Sequence, residues 1–365
     1  MRFVLAGFGF RAAAIHRVAR TLPGLECVGA VVRTPRPLPV PVLGDLREGR
    51  PDFVVSAVAA AAAPGVIAAA VELGLPVLAE TPPAADRAGL RELWSVAGPS
   101  GLVQVAEQYP LMPSHAARLA AVRTGVLGTP TQVHVSSTQQ YHAVALIRAY
   151  LDAGHAPATV RAVRTVAPLL HPLDRAGWTD DTTVRPATTT IATLDFGAGR
   201  SGVYDFTDGQ TRNLLRFRRL LVRGTHGELH DDEIVHMPAP RTITRTPLVR
   251  RQSGHDLDLS GYDTETITLG DRVLHRNAYA GSRLNDDELA VAAMLDAMAA
   301  WVRGAGPPPY PLAEGLQDQS LALAVEEAAD SGREITTTTE PWSAGDSRAE
   351  HRRAVRRRIQ PGDDR

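Results

Sequence analysis

The chain contains no lysine: all 39 of its Lys+Arg residues are arginine. No side chain can therefore form a Schiff base, act as an amine general base, or lower a neighbour's pKa as a lysine ammonium does. Only one cysteine is present, Cys27, so no internal disulfide can form. Its setting in an apolar, strand-like stretch suits an inert buried thiol. An excess of either charge is also missing. The net charge of −1 provides no global field to attract nucleic acid or a membrane surface. No apolar run reaches the length of a membrane span, and the N-terminus enters a strand directly, without the regions of a signal peptide. The expectation is a cytoplasmic protein without membrane or nucleic-acid partners.

What is present suffices for two domains: 365 residues, 44% of them hydrophobic, can bury two separate cores. The segment Phe3–Ala12, FVLAGFGFRA, is an apolar run that breaks into glycines and then into helical spacing. Gly7 permits a tight turn, and Gly9 carries no side chain to keep a pyrophosphate off the backbone. Ala12 is the small residue where helix presses on strand. Phe8, Phe10 and Arg11 lie on the same loop. The N–H groups of the following helix would face the phosphates. A second strand, Glu26–Val32, runs into Arg33 and Thr34 with no carboxylate in position. An acidic residue there holds the ribose 2′-hydroxyl of NAD, whereas a guanidinium suits a 2′-phosphate. NADP is therefore expected as cofactor, with NAD as the alternative.

Prolines at 35, 37, 39 and 41 forbid a helix after that strand, so the usual crossover helix is shortened. Asp52–Val58, Pro76–Ala79 and Leu102–Ala106 read as buried strands, separated by helices at 64–73 and 86–97. Such alternation predicts a parallel sheet with helices on both faces, and Ala57 and Val58 fall at its cofactor edge. After residue 111 the pattern changes. Helices are expected at 113–124, 142–151, 286–303 and 315–329, with period-two strands at 131–137, 189–196, 202–206, 216–222 and 264–269. The fold class is thus a Rossmann dinucleotide-binding domain (1–118) followed by an α+β domain with a largely antiparallel open sheet (119–335). Residues 336–365 read as a polar, disordered tail.

In this order the landmarks resemble the Gfo/Idh/MocA family of oxidoreductases. They are the Gly7–Ala12 fingerprint, Gly74–Pro82 (GLPVLAETP), Ala120–Gly128 followed by its strand, and Tyr310 to Gly332. The resemblance implies a nicotinamide cofactor, a small-molecule substrate, Glu80 at the nicotinamide ribose, and a second-domain sheet used in homo-oligomer contacts. The family's Glu-Lys-Pro is Glu80-Thr81-Pro82 here, and of its D-x-x-x-H-x-x-D pattern only His142 survives, with Thr138 and Ala145 at the acidic positions. Sugar oxidation by the lysine-assisted route is therefore not expected.

Reduction of a carbonyl or imine still needs a proton. His142 is the leading donor, because an imidazole exchanges protons near neutrality, with Tyr109 and Tyr141 as further candidates. The loop 171–186 could cover the site and offer Trp178 as a stacking face, or be a solvated excursion. His226, His230 and His236 with Asp231 and Asp232 read as an exposed turn, and no metal is expected. The leading function is an NAD(P)(H)-dependent oxidoreductase of a modified sugar, polyol or cyclic imine. The alternatives are a redox-cycling glycoside eliminase and a non-catalytic, cofactor-binding regulator or scaffold.

Overall fold

Five short apolar strands open the chain, each followed by a segment that covers it. In the computed structural model, which describes residues 1–174, 176–253 and 263–345, β1 (Arg2–Ala6) leads into α1 (Phe10–Ala19) and β2 (Glu26–Val31). Then come β3 (Phe53–Ser56), α2 (Ala63–Glu72), β4 (Val77–Ala79), α3 (Arg87–Ala97) and β5 (Val103–Val105). The strands pair in parallel in the order β2-β1-β3-β4-β5. Both faces are covered, so β3 to β5 are buried throughout, with Ser56 and Gln104 as their only polar residues. No helix joins β2 to β3, and Val42 makes only a single bridge to Ala30, as the alternating prolines require. Cys27 lies in β2, where burial pushes its thiol up to about 11, so it is protonated and unreactive at neutral pH.

The second half contains α4 (Pro113–Arg123), β6 (Pro130–Ser136), α5 (Gln140–Leu151), β7 (Thr159–Leu170), β8 (Val184–Asp195) and β9 (Ser201–Thr207). It continues with β10 (Arg219–Gly224), β11 (Gly227–His230), β12 (Glu233–Ala239), β13 (Thr242–Ser253), β14 (Asp263–Leu269) and β15 (Arg272–Arg276). The chain closes with α6 (Asp286–Val302), α7 (Leu312–Ser331) and β16 (Ile335–Thr336). One sheet of order β15-β14-β13-β12-β11-β10-β6-β9-β8-β7-β16 results, antiparallel except where β6 meets β9. Leu119 of α4, Ile147 of α5 and Val325 of α7 pack on its inner face against Val133, Leu194, Tyr204 and Leu220.

Two features differ from the sequence reading. Helix α6 lies within 119–335, yet Leu289, Val291, Leu295 and Met298 join Ile15, Val18 and Leu78 in the core of the first domain. Its apolar residues surround it, so their spacing does not say which domain they cover. Residues 336–345 are not a disordered tail. Glu340 accepts two hydrogen bonds from Arg91 (2.8 and 2.9 Å). Trp342, 1% exposed, lies in a cluster with Leu93 and Leu316 and donates its Nε1–H to Gln317 at 2.8 Å. The remaining tail, 346–365, lies outside the described residues. Trp342→Ala should destabilise the protein by about 3–5 kcal/mol, as truncation of a buried tryptophan does. Denaturant unfolding checks this, and a change under about 1 kcal/mol would show the segment adds little.

Candidate active site

In an open parallel sheet, ligands sit beyond the carboxyl ends of the strands where the strand order reverses. Here that point lies beside β1, whose neighbours β2 and β3 lead away in opposite directions, and the glycine loop occupies it. Gly7 has φ +87°, and a Cβ there would lie 2.7 Å from the carbonyl oxygen of Ala57 and 3.0 Å from Val58 Cγ1. Only glycine fits such a position. A Cβ on Gly9 would meet nothing within 4 Å, which leaves the approach to the N-terminus of α1 open. No acidic residue lies in the first turn of α1, so its N–H groups and dipole favour an anion. These residues fit the pyrophosphate of a dinucleotide.

A cavity of about 890 Å³ adjoins this loop. Phe10, Arg11, Glu80 and Thr81 line its first-domain wall, and Gln139, His142, Arg218 and Arg219 line the opposite side. Between them lies a hydrogen-bonded assembly. His142, in the first turn of α5, donates Nδ1–H to Glu107 Oε2 at 2.6 Å. Glu107 follows β5, and its carboxylate is fully buried. Its other oxygen accepts the backbone N–H of Tyr109 at 2.9 Å. The Tyr109 ring stacks on the imidazole, with centroids 4.4 Å apart. Both carboxylate oxygens are thus occupied, and the imidazole is held at Nδ1 and over one face. Among the described residues Nε2 makes no hydrogen bond, and His142 lines the cavity. A carboxylate so placed fixes the tautomer in which Nε2 exchanges a proton with a ligand.

Arg11 reaches across from α1 to Glu80 (3.2 Å) and Asp287 (3.4 Å). Burial pushes the Glu80 carboxyl up, against the Arg11 guanidinium and nearby His142. Burial also lowers the Arg11 pKa, but Glu80 and Asp287 together raise it further, leaving it above the ordinary value. Burial likewise raises the Tyr109 phenol. His115, also at the cavity, is pulled down to about 3 by burial and so is uncharged.

No protein-family model matches the sequence, and no curated protein does. Solved structures do match in fold. An oxidoreductase from Agrobacterium radiobacter, in complex with NAD+, L-tartaric acid and magnesium, is 15% identical with a TM-score of 0.66, over 92% of this chain and 98% of its own. A myo-inositol dehydrogenase from Corynebacterium glutamicum is 18% identical with a TM-score of 0.60, over 93% and 99%. The WlbA dehydrogenase from Bordetella pertussis, in complex with NADH and UDP-GlcNAcA, is 16% identical with a TM-score of 0.62, over 93% and 98%. The chain has the fold of these oxidoreductases. It is the two-domain architecture expected from the sequence, a parallel dinucleotide-type domain joined to a largely antiparallel sheet.

Of the proton donors read from sequence, His142 and Tyr109 meet at the cavity. Tyr141 does not. It is buried, its hydroxyl donates to the Gly315 carbonyl at 3.4 Å, and burial drives its pKa well above 10. It lines only an adjoining recess of about 390 Å³. The Glu80 carboxylate, expected at a ribose, is engaged by Arg11. Trp178 is 74% exposed and lines none of these cavities. His230 and His236 belong to paired strands β11 and β12, with Asp231 and Asp232 at their turn. Among the described residues no group of three or more His, Cys, Asp or Glu side chains could hold a metal ion, and no helix is long and apolar enough to cross a membrane.

Sequence reasoning missed Glu107, Asp287 and Arg36. Arg33 and Thr34 lie just past β2 and are exposed. Arg36, inside the proline run, folds back to donate to the Phe8 carbonyl at 2.6 Å, which puts a second guanidinium at the glycine loop.

Proposed function

We propose that this protein is an oxidoreductase that uses NADP(H) and acts on a small polar molecule, a modified sugar, polyol or cyclic imine, without a catalytic lysine. The observation that supports this most is the Glu107–His142–Tyr109 assembly, which faces a cavity beside the glycine loop. Gly7, Phe8, Gly9, Phe10, Arg11 and Ala12 would hold the pyrophosphate, with Ala57 and Val58 forming the floor and Glu80 and Thr81 the far wall. A bound dinucleotide would supply or accept the hydride. For reduction, His142 would hold a proton at Nε2 and pass it to the developing oxygen or nitrogen anion, while Glu107 balances the charge on the ring. In the reverse direction the neutral ring would accept the hydroxyl proton at Nε2. Tyr109 keeps the imidazole in plane and excludes water from one face. Arg11 supplies positive charge near the place where the resembling family has its lysine, and Glu80 and Asp287 hold its guanidinium protonated, so it cannot act as a base.

Localisation in the cytoplasm and assembly as a homo-oligomer form part of the same reading. Val163 and Ile191, directly paired across β7 and β8, are 52% and 41% exposed, an apolar pair on an open strand surface that a second copy could cover.

The preference for NADP rests on Arg33, Thr34 and Arg36. Nicotinamide fluorescence should show NADPH binding about tenfold or more tightly than NADH, the worth of charge-assisted contacts to a 2′-phosphate. The Arg33→Gln/Arg36→Gln variant should lose that margin and keep its NADH affinity. Equal binding of both cofactors by the unaltered protein would remove the NADP assignment. Binding of neither would favour the regulator or scaffold.

A further inference from the structure

The cavity wall opposite the glycine loop carries arginines whose charge is only partly answered. Arg118 pairs with Asp232 at 2.9 Å and Arg219 with Asp205 at 3.0 Å. Asp286, also at the cavity, is taken by Arg250 at 2.7 Å, and Arg11 is held by Glu80 and Asp287. Arg212 and Arg218 remain. Among the described residues neither has a carboxylate partner, and the only hydrogen bond of the Arg218 guanidinium goes to the backbone carbonyl of Thr211. Both line the cavity.

The loop that carries them, 208–218 between β9 and β10, is tied down from within. Gln210 is buried; it accepts the Thr207 N–H at 2.9 Å and donates to the carbonyls of Ser136 (2.8 Å) and Phe217 (2.9 Å). Asn213 is also buried, donates to the Leu170 carbonyl at 2.8 Å and accepts the Leu215 N–H at 2.9 Å. Side-chain amides bonded at both ends fix the backbone under the two guanidiniums. Arg212 and Arg218 line the same cavity as Tyr109, which stacks on His142. The unanswered positive charge therefore shares the cavity with the proposed proton donor.

We infer that Arg212 and Arg218 form a clamp for an oxyanion, so that the substrate of this site carries a carboxylate or phosphate group near the carbon that is oxidised or reduced. This rests on the functional reading above and narrows its substrate class from polar to anionic. Planar guanidiniums match either oxyanion bidentately, and a neutral polyol would leave both charges unmatched.

The test is calorimetric titration of the full-length protein, with and without saturating NADPH, using three probes: L-tartrate as carboxylate, inorganic phosphate, and neutral erythritol. At least one anion should bind about tenfold or more tightly than erythritol, and the stronger of the two identifies the group. Arg212→Gln/Arg218→Gln should reduce that affinity about tenfold or more while leaving NADPH affinity unchanged. Both side chains are exposed, so the variant should melt as the parent does. Binding of both anions no tighter than that of erythritol, undiminished anion binding by the variant, or no binding of any probe by the parent would overturn the clamp. Failure to bind NADPH or NADH would instead overturn the oxidoreductase reading. The titrations without cofactor would still decide the clamp, because the variant separates these arginines from the anion-accepting end of α1.

Discussion

His142→Gln should lower kcat by about 10²–10⁴, the usual worth of a positioned general acid or base, with KM changed by no more than about threefold. An interaction made mainly in the transition state shows itself in kcat. The glutamine can still donate a hydrogen bond to Glu107, so packing around Tyr109 and the start of α5 is preserved and the melting temperature should hold. The amide has no proton to give. The deficit should therefore be largest for substrates whose product anion is most basic, because those depend most on an internal acid. Steady-state kinetics, once a substrate is in hand, checks the prediction. Unchanged turnover would remove His142 as donor and move the role to Tyr109.

That His142 could be singled out from the sequence, whereas Glu107 could not, follows from how each signal is carried. The glycine loop, the strand–helix alternation of the first domain and the acidic cap of α3 are local. Gly7, Gly9 and Asp86, whose side chain accepts the Gly89 N–H at 2.8 Å, can be read within a few residues. Strand β7 is not legible because TVRAVRTVAPLL has no period-two contrast; residues 165–168 are exposed on both faces. The short hairpin β11–β12 is masked by its histidines and aspartates, which read as a turn, whereas only Asp231 and Asp232 form its tip. Helix α6 is legible as a helix, but its packing against α1 and β4 is not, since residues that are apolar all round announce burial and not a partner. At the site, Glu107 meets His142 across 35 positions, and Asp287 meets Arg11 across 276. No spacing rule reaches that far. An acidic residue at the end of an apolar strand was the one visible clue to Glu107. Arg36 and Arg218 looked like two more solvated arginines in a chain that has no other cation except histidine. Folding distinguishes them through what each faces, the Phe8 carbonyl and the cavity.

Glu107→Gln is the sharper test, because it changes no volume and still cannot serve both neighbours. In the native chain one carboxylate oxygen accepts from His142 Nδ1–H and the other from the Tyr109 N–H. An amide has one oxygen and one NH₂. If the oxygen stays on the Tyr109 N–H, the NH₂ donates to Nδ1 and fixes the neutral ring with its proton on Nε2. That ring cannot accept a proton from a hydroxyl substrate, and it has lost the carboxylate that balances a charged ring during reduction. If the amide turns over, its NH₂ opposes the Tyr109 N–H, and a buried donor goes unsatisfied at a cost of about 1–3 kcal/mol. Either arrangement impairs the imidazole. A carboxylate that sets a histidine tautomer is worth up to about 10⁴ in kcat in hydrolytic triads. Here kcat should fall by about 10² or more, since the ring serves only proton transfer. Cofactor affinity should be unchanged, because Glu107 lies outside the glycine loop. Proton transfer should become slower than hydride transfer, so the solvent isotope effect should rise while the effect of deuterium at the transferred hydride shrinks. If Glu107→Gln turns over like the parent with both isotope effects unaltered, the carboxylate only supports the turn at Tyr109, and the proton enters by another route.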